Sequence, residues 1–593
     1  MTMTDTKTLM TKGISATAAA SLLILTGCAI QPSQPSQTTS SDYAQADTPA
    51  SDPAAPAADP PPTDKEHGGQ WHHGHGMMNP YFRTQTSTTE ATVTVEGNSI
   101  HYHAVAGLLV VHPEGWDDAT GKNAGEDPMA EAHKDKDSKA MQSEASMFYV
   151  AYFKDGEKPG DRPITFLYNG GPGSASMWLH MGAFGPRRVV TADHTHSPAA
   201  PYQLVNNDYS LLDASDLVFV DAPGTGFSRV KGKDGPKDFF GADQDVHAFS
   251  EFIMQFLSKY SRWNSPKYLF GESYGTPRSA NLINVLETED DTDFNGVILL
   301  SQILNYDDSP GRVQYNPGDN LPYELALPTY AATAWYHHRL PNKGQSLDAL
   351  LTEVEQFAMT DYARALRAGS ALSSDQRDAI AAKLHDYTGL PVSYIEKADL
   401  RVDAGEFEHS LQGSDDVTTG RLDSRFSGPS LDPLSQRAEY DPQSAAISSA
   451  YVSAFNDYVR NDLHYGMNMR YKPSARNIRE WDFRHKPPNA PFAFPRALNV
   501  MPDLANAMKY NPNLKVMLNG GYFDLATPFY QGIYEMNHLP MPDKLQANIS
   551  YHYYESGHMV YAHIPALKEM HDSVAAFIAN TAHQQTDQQQ DGQ

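Results

Sequence analysis

Cysteine is almost missing from this chain of 593 residues, which has one, Cys28. No intrachain disulfide can form, and zinc sites built from several thiolates are excluded, so packing has to hold the fold. Positive charge is scarce as well. Lys and Arg number 45 against 72 Asp and Glu, a formal net charge of −27, and so acidic a surface repels phosphate backbones and anionic headgroups. Nucleic acid is therefore not an expected partner. The sequence has no Walker A pattern, no H-E-x-x-H and no G-x-G-x-x-G, which leaves nucleotide, metalloprotease and dinucleotide chemistry without support. What is present is ordinary globular material: 40% hydrophobic and 10% aromatic residues, enough to bury a real core. At roughly 100 to 200 residues per domain, the length suits either several domains or one large α/β unit with an insertion.

Lys7 and Lys12 precede an apolar stretch, 14–25, that is too short to stay in a bilayer and reads as an export signal. Leu25-Thr26-Gly27-Cys28 closes it and resembles the lipobox of bacterial lipoproteins. That resemblance implies cleavage after residue 27 and acylation of Cys28. Ala29, where an Asp would stand otherwise, resembles the outer-membrane sorting of Gram-negative lipoproteins. The expected location is then the periplasmic face of the outer membrane, if the cell is Gram-negative. Residues 28–85 are expected to be a disordered tether, because Pro, Ala, Ser, Thr and Asp leave little to bury. His67, His72, His73 and His75 at its end could meet a transition metal, but their Gly-rich context fixes no geometry and no metal site is assigned. The Gln-rich residues 581–593 read as a second disordered tail.

Past residue 85, short apolar runs alternate with helical patterns, the signature of a sheet with crossover helices. The expected strands are 164–168, 217–221, 268–270, 297–300, 514–518 and 549–554. A helix is expected over 242–260. About two hundred residues of different character separate the fourth and fifth strands. There, 327–340, 351–368 and 375–387 carry helical spacing, the last opened by the capping-box pattern Ser373-x-x-Gln376. Residues 305–495 are read as a mainly helical cap inserted between two core segments, 86–304 and 496–580.

Residues 268–275 are an apolar strand running into Gly271-Glu272-Ser273-Tyr274-Gly275. A bare G-x-S-x-G arises by chance in about one chain of this size in five; the strand and helix around this one mark a sharp elbow that presents the Ser273 hydroxyl. A serine hydroxyl is a poor nucleophile until an imidazole takes its proton, and the imidazole needs an acid to fix its tautomer. On such folds the chain order is serine, acid, histidine. Asp524 follows a strand and a Gly turn, and His558 follows the last strand, which makes Ser273, Asp524 and His558 the expected triad. Residues 168–174, Tyr-Asn-Gly-Gly-Pro-Gly-Ser, leave backbone N–H groups uncovered after another strand. The amides of Gly171 and Tyr274 are the expected oxyanion hole.

Asn169-Gly-Gly-Pro-Gly, Asp221-Ala-Pro-Gly-Thr-Gly-Phe-Ser228, Gly271-Glu-Ser-Tyr-Gly and Gly557-His-Met-Val together resemble the serine carboxypeptidase family over roughly residues 140 to 575. The resemblance implies an α/β-hydrolase fold with a helical cap, no cofactor, and removal of single residues from peptide C-termini. It also implies that Asn169, Gly170 and Glu272 recognise the substrate's terminal carboxylate, Glu272 only when protonated. Two departures stand out. The second glutamate of the family pattern falls on Ala183, so the carboxyl pair is broken and a weaker or shifted preference for acid pH is expected. The family's cysteine after Gly-Pro-Gly is Ser174. An acyltransferase or esterase using the same triad remains the alternative, and a non-catalytic protein binding metal through its histidine tract is a more distant one.

Overall fold

The computed structural model describes residues 79–590, except 118, 120, 121, 124–141, 312–315, 343, 476, 477, 479, 480 and 494–496. The chain divides into two units, residues 1–75 and 76–593. Cys28, the expected signal, most of the expected tether and the histidines at 67, 72, 73 and 75 lie outside the described residues. No described helix is long and apolar enough to cross a membrane.

The described unit is built on a ten-stranded sheet. Its strands are β1 (Thr86–Val95), β2 (Asn98–Val111), β3 (Glu144–Lys154), β4 (Ile164–Tyr168), β5 (Asp216–Val220), β6 (Arg229–Lys231), β7 (Lys267–Glu272), β8 (Gly296–Leu300), β9 (Lys515–Gly521) and β10 (Ile549–Tyr554). Across the sheet they run β1-β2-β3-β5-β4-β7-β8-β9-β10, with β6 paired to β3 off that path. The first three pair antiparallel, and β5 through β10 along this path pair parallel. Strands β4, β5 and β8 are buried at every position, as expected of parallel strands covered on both faces. In β3 the side chains divide by twos: Phe148, Val150 and Tyr152 join the core on one face, and Met147, Tyr149 and Ala151 the core on the other.

The order reverses between β4 and β7, and ligands of open α/β sheets bind outside the strand carboxyl ends at such a switch point. Register places those ends side by side. Tyr168 is opposite Gly271, Glu272 opposite Leu300, Leu300 opposite Asn519, and Gly521 opposite Tyr554. The loops that carry residues 169–174, 273, 524 and 558 therefore leave from one edge.

Helix α1 (Ala242–Lys259) buries Val246, Phe249, Ile253 and Phe256, one helical stripe, in the core of one sheet face. Helix α2 (Gly275–Thr288) follows the elbow, and Arg278 on it is buried against Asp245 of α1 at 2.6 Å while a second nitrogen reaches the Asn169 carbonyl at 2.9 Å. Between β8 and β9 lie α3 (Leu321–Tyr336), α4 (Leu347–Phe357) and α5 (Ser374–Thr388), which share a separate core of Leu327, Tyr330, Val354 and Leu384. Ser373 and Gln376 form the reciprocal cap of α5, and Gly389 ends it at φ 70°. The inserted segment is not all cap. Its helix α6 (Pro442–Asn461) buries Ile447, Tyr451 and Phe455 in the core of the sheet itself. Helix α7 (Met501–Tyr510) leads into β9, and α8 (Phe529–Asn537) lies between β9 and β10. The last helix, α9 (Ile564–Gln590), runs on through the stretch that the sequence reads as a tail.

Removing Asp245 would leave a guanidinium fully buried with no carboxylate. Asp245→Ala is expected to cost about 3 to 5 kcal/mol, read as a lower midpoint of urea unfolding. The double variant Asp245→Ala with Arg278→Met is expected to regain most of that loss.

Candidate active site

The elbow is forced by local sterics. Ser273 sits at φ +60°, a left-handed conformation costly for a residue with a side chain. A Cβ on Gly271 would drive into the Gly275 carbonyl, and one on Gly275 would come within 2.9 Å of the Tyr168 oxygen. Both positions therefore need glycine. Ser273 donates its N–H to the Leu300 carbonyl at the end of β8 (2.9 Å), and its own carbonyl accepts from the Thr276 amide and hydroxyl at 2.8 and 2.7 Å.

The histidine and the acid meet directly. His558 Nδ1 lies 2.7 Å from Asp524 Oδ2. Asp524 is buried, and its other oxygen accepts from the amides of Ala526 and Thr527 at 2.9 and 3.0 Å, while the Thr527 hydroxyl donates to Oδ2 at 2.6 Å. That many donors fix the carboxylate in place. Burial pulls the His558 pKa down, but the charge and hydrogen bond of Asp524, helped by Glu272, outweigh it and the net shift is upward. An imidazole held this way has Nδ1 occupied and Nε2 left to take a proton. Its main chain is fixed on both sides. The His558 N–H donates to the Leu422 carbonyl at 2.6 Å, and its carbonyl accepts from the Ser301 hydroxyl at 2.6 Å. Ser273 and His558 are thus anchored on consecutive residues, Leu300 and Ser301. Among the described residues the Ser273 hydroxyl has no hydrogen-bond partner, an arrangement common where the nucleophile–base bond tightens only with substrate.

The loop 169–174 lies hard against the elbow, for a Cβ on Gly170 would run into the Tyr274 amide nitrogen. Gly171 adopts φ +106°. Among the described residues neither the Gly171 nor the Tyr274 amide has an acceptor, so both are free to serve one. Beside them, Asn169 Nδ2 donates to Glu272 Oε2 at 2.7 Å, and its Oδ1 accepts from the Leu179 amide. Both side chains are buried, and burial pushes Glu272 up to about 7.

Tyr561 was not legible as a site residue. Its hydroxyl donates to both Glu272 oxygens, at 3.2 and 2.9 Å. Ala183 is buried in the core, and its neighbour Gly182 packs against Tyr451 and Tyr561. A phenol and an amide hold Glu272. Thr527 and Leu422 were missed too. Thr527 had a signal, since Asp-x-x-Thr is a side-chain turn pattern; Leu422 contributes only a carbonyl and had none. The inserted segment 421–425 threads between the two catalytic loops: the Leu525 amide donates to the Arg421 carbonyl, the Ser424 amide to the Phe523 carbonyl, and His558 to Leu422. Gly557 is pinned beneath it, because a Cβ there would strike Asp423. Among the described residues no group of three or more His, Cys, Asp or Glu is disposed to hold a metal.

The profile of the serine carboxypeptidase family matches residues 138–555, well over half of the chain. The chain belongs to the serine carboxypeptidase family. The match includes Ser273 and Asp524 and stops three residues before His558, whose place rests on the geometry above. Relatives in the family align over a limited stretch. Serine carboxypeptidase-like 36 of Arabidopsis thaliana is 27% identical over 176 residues, 28% of this chain and 34% of that protein. The pheromone-processing carboxypeptidase KEX1 of Saccharomyces cerevisiae is 31% identical over 131 residues, 21% of this chain and 17% of that one. The alignments thus span about a third or less of these relatives. The crystal structure of the prohormone-processing carboxypeptidase Kex1Δp from Saccharomyces cerevisiae superposes over 81% of this chain and 91% of its own, with TM-score 0.48 and 16% identity.

A peptidyl phosphonate is expected to label Ser273 of the wild type, detected as one added mass by intact mass spectrometry. Ser273→Ala should take up none. Asp524→Asn, which holds the wrong tautomer of His558, should slow labelling by a factor on the order of 10⁴.

Proposed function

We propose that this protein is a serine-type carboxypeptidase that releases C-terminal residues from peptides through an acyl-enzyme on Ser273. His558 takes the serine proton and then delivers it to the leaving amine, Asp524 orients the imidazole and balances its charge, and the Gly171 and Tyr274 amides receive the oxyanion. In the second half of the cycle His558 draws a proton from water, which attacks the ester and frees Ser273. The observation that carries the carboxypeptidase reading over a general esterase is the 2.7 Å pair of Asn169 and Glu272 immediately before the serine. A buried glutamate at about 7 keeps a proton in mildly acid solution, and a protonated carboxyl can donate to a peptide's terminal carboxylate together with Asn169 and the Gly170 backbone.

The test uses an N-blocked dipeptide, its C-amidated twin and a simple ester. The free acid is expected to be cleaved with a kcat/KM at least tenfold above that of the amide; equal rates on all three would favour the esterase or acyltransferase reading. The pH dependence has two limbs with different owners. His558 works when neutral, so activity falls as pH drops through its raised pKa. Glu272 binds carboxylate when protonated, so KM for free-acid peptides should climb as pH rises past about 7, while the ester should lack that alkaline limb. Tyr561 favours the ionised glutamate, so Tyr561→Phe should move the alkaline limb to higher pH.

We also propose that the chain is tethered through an acylated Cys28, on the periplasmic face of an outer membrane in a Gram-negative cell. What supports this is the run Leu25-Thr26-Gly27-Cys28 with the only cysteine of the chain in the acyl-acceptor position. Wild-type protein is expected in the membrane fraction with incorporated palmitate, and Cys28→Ala in the soluble fraction without it.

A further inference from the structure

The segment threaded between the acid and histidine loops carries two arginines with different fates. Arg425 is buried and consumed: it pairs with Asp423 at 2.7 Å and with Asp193 at 3.2 Å. Arg421 is exposed, and among the described residues its guanidinium has neither an ion pair nor a hydrogen bond. Its backbone, by contrast, is held at both ends. The Arg421 N–H donates to Asp441 at 2.8 Å, and its carbonyl accepts from Leu525, the residue after Asp524, at 3.0 Å. The next carbonyl, that of Leu422, takes the His558 amide. A rigid backbone thus places one uncommitted cation a residue away from the main-chain anchor of the imidazole. Its charge reaches the ring, acting to lower the His558 pKa. In a chain of net charge −27, an exposed cation whose charge reaches both the imidazole and the buried Glu408 is conspicuous.

We propose that Arg421 is a specificity-determining residue that favours substrates whose released C-terminal residue is Asp or Glu. The inference rests on the carboxypeptidase reading and refines it. During acylation His558 protonates the leaving nitrogen, so the released residue lies beside the imidazole, whose main chain is held one residue away from Arg421. The α-carboxylate of that residue is taken by Asn169, Gly170 and Glu272, which leaves its side chain to meet the guanidinium. A planar donor fork suits a side-chain carboxylate.

The experiment compares N-blocked dipeptides ending in Glu and in Gln, which differ in charge and hardly in shape. The readout is the Glu to Gln ratio of kcat/KM for each enzyme, with active sites counted by phosphonate titration. Relative to wild type, Arg421→Gln is expected to lower the ratio about tenfold, in line with one exposed charge pair near 4 Å; Arg421→Glu should lower it further, and Arg421→Lys should restore most of it. A purely structural role, such as offsetting the nearby buried Glu408, would change stability or overall rate and leave the ratio alone. A ratio within twofold of wild type in Arg421→Gln and Arg421→Glu overturns the proposal, as does a charge effect confined to the residue before the scissile bond. Cleavage of the Gln peptide by the wild type tests the underlying carboxypeptidase reading separately.

Discussion

The site depends on two residues that do no chemistry, Leu300 and Ser301 at the end of β8. The Leu300 carbonyl holds the Ser273 amide, the Ser301 hydroxyl holds the His558 carbonyl, and the Ser301 amide reaches the Asn519 carbonyl on β9, the strand that leads to Asp524. Ser301 makes these contacts from a left-handed conformation, φ +54°, like Ser273 at the end of the neighbouring strand. Three loops, those of Ser273, Asp524 and His558, are thereby indexed to one rigid strand end. That is how a fold keeps catalytic groups within the small tolerances that nucleophilic catalysis demands.

Two carboxyls near His558 differ in their surroundings. Asp524 accepts from two amides, a hydroxyl and the imidazole. Glu272 has an amide and a phenol for company, and burial lifts it to about 7. Under the proposed mechanism the first orients the imidazole and the second holds a proton in mildly acid solution, a division of roles set by solvation and donors rather than by residue type.

The parallel half of the sheet was legible because its strands are short, apolar and followed by glycine turns: β4 and β10 fall on the expected residues, and β5, β7, β8 and β9 differ from them by a residue or a few at their ends. Strands β1 to β3 lie outside the expected strands although the sequence carries their signal: Ala91, Val93 and Val95 of β1 and Ile100, Tyr102 and Ala104 of β2 alternate with polar residues, and β3 is an apolar run. Helix α6 was assigned to the cap because chain order cannot say which core an apolar face joins. Among site residues, those legible were the ones that strand–turn grammar exposes: Ser273, Asp524, His558 and the loop from Asn169. Tyr561 and Leu422 escaped, since a phenol three residues past a histidine has no pattern, and a backbone carbonyl from a distant segment has none at all.

The insertion reaches into the candidate site, because residues 421–425 bridge the loops of Asp524 and His558 by backbone hydrogen bonds. The account stands or falls on whether the elbow and the His558–Asp524 pair meet over one reacting atom. The most direct measurement is a crystal structure of the protein inactivated by a peptidyl phosphonate. The result predicted is phosphorus on Ser273 Oγ, one phosphonyl oxygen bound by the Gly171 and Tyr274 amides, and His558 Nε2 about 2.6 to 3.2 Å from Oγ. Phosphorus on any other residue, or an imidazole that cannot reach Ser273, would contradict it.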